Sequence, residues 1–598
     1  MRNILLMIAF SVVTMGSYAQ MNEGGMNHLP NSLKSGGILS DETSTSLRAG
    51  TEDNYWIEHA ASNYAGGTGT EADPYLIETP EQLAKLAVDA TGKDDNIGKN
   101  LLEGIYFKQT DDIDLQGHKL SIGLNGHFSG IYDGNGYFIS GFKRDFESTT
   151  ERENAKIVHS IFCNVKNATI KNVNIENSII NIHFTNATNS VSIAGLLAAY
   201  VENSIIQNCH VEGKITANLS SKSFAAMYGG IVGYIDNTTI DDCSAYGKIT
   251  ANLEALNDES ENANISYLQS GGIIGQAMGN SKIINCINYI ETNNTSKGNA
   301  KKGIANRSAG IVAVSQDVQI LNCGNHGKLY AKGSNSAPGN WVQVAGIGSY
   351  VLNGNIDNCW NTANLASEGI EDIYPMAILY YWQNTTKKNC YTNKNAYASW
   401  VNDEDIPLEE SYMKSREFVD LLNENLPEGG ITWKSDEGNY PALHTVNAVI
   451  LPQVVGATTD PVAGEYEVLD NAPFQFKLTL DAEYDKSTPV VTVNGKELTP
   501  NEEGFYVIEE VNTEMVIEIS GIEKNPVANE QIEKNEVSFY TQPGAIVVQA
   551  TQNTSVSIYT FQGVMQKSLT VNGTATIPVS KGLYILKIGE KNYKVSVR

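Results

Sequence analysis

Between residues 160 and 390 the apolar side chains come in short β-branched bursts. Gly, Asn or Asp interrupts them every four to eight residues, as in Thr239-Ile240-Asp241-Asp242-Cys243-Ser244-Ala245-Tyr246-Gly247-Lys248-Ile249. No stretch there carries an apolar stripe of helical period and length, which argues against helical and leucine-rich repeats and for short strands joined by tight turns. The bursts also repeat. Ile-x-Asn/Asp-Cys occurs at Ile206–Cys209, Ile240–Cys243, Ile283–Cys286, Ile320–Cys323 and Ile356–Cys359. Asn389-Cys390 is a degraded copy, and Ile170-Lys171-Asn172-Val173 is an earlier one with Val in the Cys place. From Val173 onward the steps are 36, 34, 43, 37, 36 and 31 residues. A second landmark, Gly195-Leu196-Leu197, Gly230-Ile231-Val232, Gly272-Ile273-Ile274, Gly310-Ile311-Val312 and Gly346-Ile347, lies 13 or 14 residues before each Cys. Two landmarks holding one mutual distance through successive copies define a solenoid.

Short strands stacked coil on coil predict an all-β fold, a right-handed parallel β-helix over residues 65–446 with short capping helices. Ile and Cys then form internal ladders, and Val173 in the Cys register marks that column as packing rather than sulfur chemistry. The six Cys of the ladder are expected to be reduced. Coils of this length exceed a minimal turn, and the surplus falls at 217–229, 251–270, 293–309 and 331–345. These segments are predicted to be loops projecting from one face, the expected ligand face, that add nothing to the core. Thr79-Pro80-Glu81-Gln82-Leu83-Ala84-Lys85-Leu86-Ala87 predicts an N-terminal capping helix with Thr79 as N-cap, Gln82 completing a capping box, and Leu83, Leu86 and Ala87 on one face. A helix from about Ser411 to Leu426, with Phe418, Leu421 and Leu422 inward, is expected to cover the other end together with Trp433 and Tyr440-Pro441-Ala442-Leu443.

Beyond residue 446 the period changes to two. Strands at Glu465–Val468, Phe474–Leu480, Val490–Val493 and Met515–Ile519, with a turn at Asn494-Gly495, predict a small immunoglobulin-like β-sandwich over 447–522. A polar linker at 523–535 leads to a second strand-rich module, also expected to be a β-sandwich, over 536–598. At the other end, Arg2, the apolar run Ile4–Val13 and Ser17-Tyr18-Ala19 read as a signal peptide over 1–19, followed by a leader at 20–64. The run is too short for a permanent membrane span, and no later stretch approaches one. The expectation is an exported protein, at the cell surface or extracellular, without a transmembrane segment.

Composition narrows the partners. The chain of 598 residues carries Lys+Arg 41 against Asp+Glu 68, a formal charge of −27, which argues against phosphate-backbone binding and hence against nucleic acid as a partner. Residues 160–395 hold 16 acidic and 15 basic residues, so the acidity sits in the flanking parts and serves solubility.

The landmarks Gly-Ile-Val-Gly at 230–233 and Gly-Ile-Ile-Gly at 272–275 resemble the GLUG repeats of secreted bacterial surface proteins. The leader Gly66-Gly67-Thr68-Gly69-Thr70-Glu71-Ala72-Asp73-Pro74-Tyr75-Leu76-Ile77 and Tyr132-Asp133-Gly134-Asn135-Gly136 are similar to segments of such domains. The other copies depart at the last Gly (Ala198, Ala313, Ser349). Val556-Ser557-Ile558-Tyr559-Thr560-Phe561-Gln562-Gly563 with Lys581-Gly582-Leu583-Tyr584-Ile585-Leu586-Lys587-Ile588 resembles the C-terminal sorting domain of the type IX secretion pathway of Bacteroidetes. The resemblances imply an exported adhesin-type β-helix, no catalytic residues, and secretion or sorting machinery as a partner of the last module.

Parallel β-helices also carry polysaccharide lyases and glycoside hydrolases, which need carboxylates converging on one face. The best local pair, Asp241-Asp242, has counterparts Gln207-Asn208 and Asp357-Asn358 in other coils and is assigned to turning. Asp111, Asp112 and Asp114 leave Ca²⁺ open as a ligand, without the spacing of a calcium loop. No His-Glu-x-x-His occurs, His183, His210 and His326 occupy different registers, and no catalytic, metal or cofactor site is assigned. Trp341, Trp360, Tyr380, Tyr381 and Trp382 are the aromatic candidates for stacking on sugar rings, against the competing and favoured assignment as a plug under the capping helix. The expected function is recognition of a glycan or an extracellular protein, with a carbohydrate-active enzyme as the alternative.

Overall fold

The computed structural model describes residues 55–91, 102–149, 152–153, 155–256, 265–298, 303–334, 340–369, 374–396, 405–435, 438–443, 446–469, 472–501, 504–525 and 537–598. The predicted signal peptide, most of the predicted leader, residues 526–535 of the predicted linker and Trp400 lie outside them. The chain is all-β apart from short helices and divides into two compact units, 1–443 and 444–598. No helix among the described residues is long and apolar enough to cross a membrane.

The first unit is a parallel, β-helix-like stack. A seven-stranded sheet made of Phe162–Lys166, Ala198–Glu202, Val232–Asp236, Ile274–Met278, Val312–Gln316, Gly348–Leu352 and Leu379–Gln383 takes one strand from each of seven successive coils. All its pairings are parallel. A 24-stranded sheet closes the coils, and in it Ile170, Ile206, Ile240, Ile283, Ile320 and Ile356 stand in register as one fully buried column. Each such Ile contributes about 2–3 kcal/mol of burial. Cys209 pairs with Cys243, and Cys359 with Cys390. All seven Cys are free and buried.

Two residue columns explain why the coil can turn so tightly. Asn172, Asn208, Asp242, Asn285, Asn322, Asn358 and Asn389, each next to the Cys column, adopt positive φ, as do Asn167, Asn203, Asn237, Asp317, Asn353 and Asn384 five residues earlier. Asn tolerates the left-handed region, and its amide then bonds the next coil. Asn208 Nδ2 donates to Asn172 Oδ1 at 2.8 Å, Asn322 to Asn285 at 2.7 Å and Asn358 to Asn322 at 2.8 Å. A further ladder runs through the buried Asn288, Asn325 and Asn361, whose amides link at 2.8 and 2.7 Å. It also accounts for the recurring glycine, because a Cβ on Gly272, Gly310 or Gly346 would lie 2.1–2.6 Å from those amide groups.

The surplus segments are not loops, which corrects the sequence expectation. Residues 217–229 belong wholly to the strand Ile205–Gly229, 251–255 end Thr239–Ala255, and 266–270 lie in Ser266–Gly271. Ile287–Lys297 with Ile304–Ala309, and Leu329–Ser334 with Trp341–Ala345, repeat the arrangement. Each outgoing and returning pair forms a two-layer wing that stacks in register on the wings above and below. The wings add core: Ile249, Ala251 and Leu253 are buried in one, and Leu329, Ala331, Val342 and Val344 in another. The wing between them is polar inside. There Asn294 Nδ2 donates to Arg307 O at 3.1 Å, Asn306 Nδ2 to Ser296 Oγ at 3.2 Å, and Thr292 and Ser308 share a hydrogen bond. Only the tips 257–264, 299–302 and 335–339 lie outside the described residues.

Both covers form. Helix Pro80–Asp89 starts at Thr79, whose hydroxyl accepts from Gln82 N, while Gln82 Oε1 accepts from Glu78 N at 2.7 Å. Leu83, Ala84, Leu86 and Ala87 are buried. The C-terminal helix is Arg416–Glu424, with Phe418, Val419 and Leu422 buried, and a separate turn Glu410–Met413 precedes it. This segment lies along the side of the stack rather than only over its end. Asn285 Nδ2 donates to Gly429 O, Asn322 Nδ2 to Ile431 O and Asn358 Nδ2 to Leu422 O, at 3.0, 2.9 and 3.0 Å, three coils in succession. In the last coil the Ile column ends on Lys387, whose buried ammonium pairs with the equally buried Asp405 at 2.5 Å.

The second unit holds two strand-rich modules. In the first, a five-stranded and a three-stranded sheet enclose one core of Val449, Leu451, Phe474, Phe476, Val491, Tyr506, Ile508 and Ile517. It gains the strands Val446–Leu451 and Phe505–Val511 over those predicted. The linker begins later than expected, since Asn525 N donates to Glu483 O at 2.7 Å and Glu523 N to Ser487 Oγ at 2.9 Å. The last module is a five-stranded antiparallel sheet around Ile546, Val548, Val556, Ile558 and Leu586. Arg598 forms an ion pair with Glu465 of the first module.

Candidate functional site

The register of the coils moves one landmark by a residue: Gly195 pairs with Gly229 and Ala198 with Val232, so Ala199, not Ala198, is the counterpart of Gly233. A column of small residues results, Cys163, Ala199, Gly233, Gly275, Ala313 and Ser349. The returning strand of each wing crosses close above it. A Cβ on Gly233 would lie 2.5 Å from Ile193 Cγ2, and Ser349 Oγ donates to Ser308 O at 2.6 Å. This column gives the seventh cysteine its place, because Cys163 packs there with Val158, Ile193 and Met227.

The seven-stranded sheet and the returning strands thus converge on a seam along the stack. In Ile304–Ala309, Asn306 and Ser308 face the wing interior, so the alternation of a strand turns Ala305 and Arg307 to the seam. Lys156, Val191, Ala225, Tyr267, Ala305 and Trp341 make one row in register, and Ile193, Met227, Gln269, Arg307 and Gln343 the next. The opposite wall carries Tyr200, Tyr234, Gln276, Val314, Tyr350 and Tyr381. Tyr200 stacks on Tyr234 and Tyr350 on Tyr381, both at 4.9 Å between ring centres.

Two cations sit in this seam against aromatic faces. Lys156 Nζ is 3.1 Å from the centre of the Tyr200 ring. Burial pushes its pKa down to about 7, with Glu202 pulling weakly the other way. Arg307 is 5% exposed, with its guanidinium carbon 4.4 Å from the Tyr350 ring centre and 5.7 Å from that of Tyr267. Its Nε–H donates to Gln343 Oε1 at 2.7 Å. Burial lowers its pKa and raises those of the two tyrosines.

The predicted aromatic candidates separate. Trp341 and Tyr381 line the seam, and Tyr380 follows Ser349 in register at its end. Trp382 packs half-buried on the main core, 5.0 Å from Lys387 Nζ. Trp360 is fully buried beneath the lateral cover, 5.3 Å from Trp433, as the plug assignment expects. The acidic candidates are occupied by structure. Asp241 accepts from Asn285 and Gln207, Asp242 takes a left-handed turn, and Asp112 and Asp114 accept from Phe138 N and Gln116 N. Among the described residues no group of three His, Cys, Asp or Glu could hold a metal ion. Tyr267, Gln269, Gln276, Arg307, Gln343 and Tyr350 escaped the sequence reading. The signal present was Arg307 itself, a charge three residues before the Gly310 landmark, in a register where other coils carry Ile, Met or Gln.

Residues 526–597 match the model of a family described as "Domain of unknown function (DUF6383)". A stretch of 90 residues, 14% of this chain, is 39% identical to a "Putative Gly-rich membrane protein" of Evansella cellulosilytica, of whose length it covers 9%. A crystal structure described as a "putative immunoglobulin A1 protease" from Bacteroides ovatus aligns over 63% of this chain and 94% of that one, at 16% identity and a TM-score of 0.32.

Proposed function

We propose that the protein is an exported, surface-displayed binding protein that recognises an extracellular glycan noncovalently along the seam of its β-helix-like stack. The observation that carries this reading is the aromatic lining of the seam, where the stacked pairs Tyr200–Tyr234 and Tyr350–Tyr381 stand in one column, separated by Gln276 and Val314, and Trp341 lies on the facing row. Aromatic rings grouped at intervals along a seam suit a polymer of rings. The seam replaces the surplus segments as the binding face, because those segments are spent on core. The signal-peptide pattern, the GLUG-like landmarks and the sorting-type ending of 536–598 support export and surface attachment. The same resemblances support right-handed winding and an immunoglobulin-like type for the first C-terminal module. A glycan and matrix-protein array probed with the mature chain and with a W341A/Y381A variant tests the reading. Binding to a glycan class that the variant loses is expected, and binding that the variant retains in full would contradict it.

A further inference from the structure

Arg307 departs from the pairing that the buried Lys387 and Asp405 show. A guanidinium nine-tenths buried is ordinarily paired with a carboxylate, since an uncompensated buried charge costs several kcal/mol. Here its contacts are the Gln343 amide and two tyrosine rings. Among the described residues no carboxylate pairs with it, and its terminal nitrogens have no protein acceptor yet are not sealed from solvent. Two neighbours are likewise unfilled. Gln269 stands beside Arg307 in register, and its buried Oε1 accepts no hydrogen bond. Buried Gln276 Oε1 on the facing sheet is in the same condition. Free N–H donors in a planar fork, two orphaned acceptors on the preceding coil and two tyrosine rings stand together in the seam. The fork fits a planar or tetrahedral anion, and the rings fit the apolar face of a sugar.

We infer that Arg307, flanked by Tyr267, Tyr350, Gln269 and Gln276, is an acid-group subsite, and that the ligand is a polysaccharide bearing carboxylate or sulfate groups. This rests on the proposed glycan recognition and specifies its class. A second cation on the same seam fits a polymer. Lys156 lies four coils away, roughly 19 Å at one strand spacing per coil.

The test is titration of the full mature chain with polygalacturonate, carrageenan and neutral dextran, each at low and high salt, for wild type, R307Q and R307K. Wild type is expected to bind at least one acidic polymer in a salt-sensitive manner and dextran at least tenfold more weakly. R307Q should lose tenfold or more, and R307K should recover only part, lacking the fork. The polymer that responds, uronate or sulfate ester, identifies the acid group. R307Q keeps its fold by melting temperature, since it removes an unpaired buried charge, and R307K supplies the same comparison with the charge retained. Equal binding of dextran and the acidic polymers, or acidic binding indifferent to Arg307, overturns the subsite while leaving glycan recognition standing. Failure to bind any of the three overturns the subsite, and a silent glycan array would be the separate failure of the broader reading. Arg307-dependent binding of polyglutamate without binding of the polysaccharides would assign the site to an acidic polypeptide and also overturn the inference.

Discussion

The indole N–H of Trp433 donates to Asn322 Oδ1 across 2.6 Å, joining residues 111 apart in the chain. The same oxygen accepts from Asn358 Nδ2, and the amide nitrogen of Asn322 serves Asn285 and Ile431 O. One buried side chain in a left-handed turn therefore links three coils and the lateral cover.

Asn322→Leu should destabilise the first unit by about 3 kcal/mol or more, through left-handed strain and several orphaned polar groups. Asn322→Gly relieves the strain but not the orphans and should fall between. Guanidinium unfolding of the full chain reads the difference, and a Leu variant of wild-type stability would show the ladder to be passive.

The thiol column is expected to stay reduced even in an oxidising compartment. Burial holds the thiols of Cys243, Cys323 and Cys390 well above the usual value, and each Sγ donates to the carbonyl two residues before it, at 3.2, 3.1 and 3.2 Å. Alkylation in denaturant without reductant, followed by mass spectrometry, should label all six ladder cysteines. Cys243→Val should cost less than about 1.5 kcal/mol, since Val173 already fills that place in an earlier coil. A linked Cys209–Cys243 peptide would refute the packing role.

Lys156 makes stability depend on pH in a defined direction. Its folded pKa is about 7, below that of a free lysine, so between these values the unfolded chain binds more protons and stability rises with pH. Below pH 7 the group's cost is at its full, constant value. Melting curves from pH 7 to 10 should show a smaller rise in Lys156→Met than in wild type, with the variant the more stable at pH 7.

Asp405→Asn leaves the Lys387 ammonium buried and should cost about 3–5 kcal/mol, whereas K387M/D405L together should recover most of it. Equal losses in the single and double variants would mean that the pair is not the source.

The Ile and Cys columns, the asparagine turns and both covers were legible because each repeats, or is signalled, within one short segment. The wings were not. Asn294, Ser296, Asn306 and Ser308 read as a polar loop, yet each makes hydrogen bonds inside the wing between two strands. Buried polar residues carry no sign in the sequence that they have partners. The seam was hidden for a different reason. Tyr267, Arg307 and Tyr350 are about one coil apart in sequence, and only the coil register brings them together. The plug reading rested on the concentration of five of the six tryptophans within 341–433, and of these Trp360 packs against Phe418 and Trp433.

Recognition without turnover is the role proposed for the seam. The most direct measurement incubates the mature protein with an acidic polysaccharide that it binds and follows chain length by size-exclusion chromatography alongside binding. The polymer should be retained by the protein at unchanged length, with retention reduced by R307Q. Progressive shortening of the polymer, stopped by a single Asp→Asn change that leaves binding intact, would contradict the account and make the protein an enzyme.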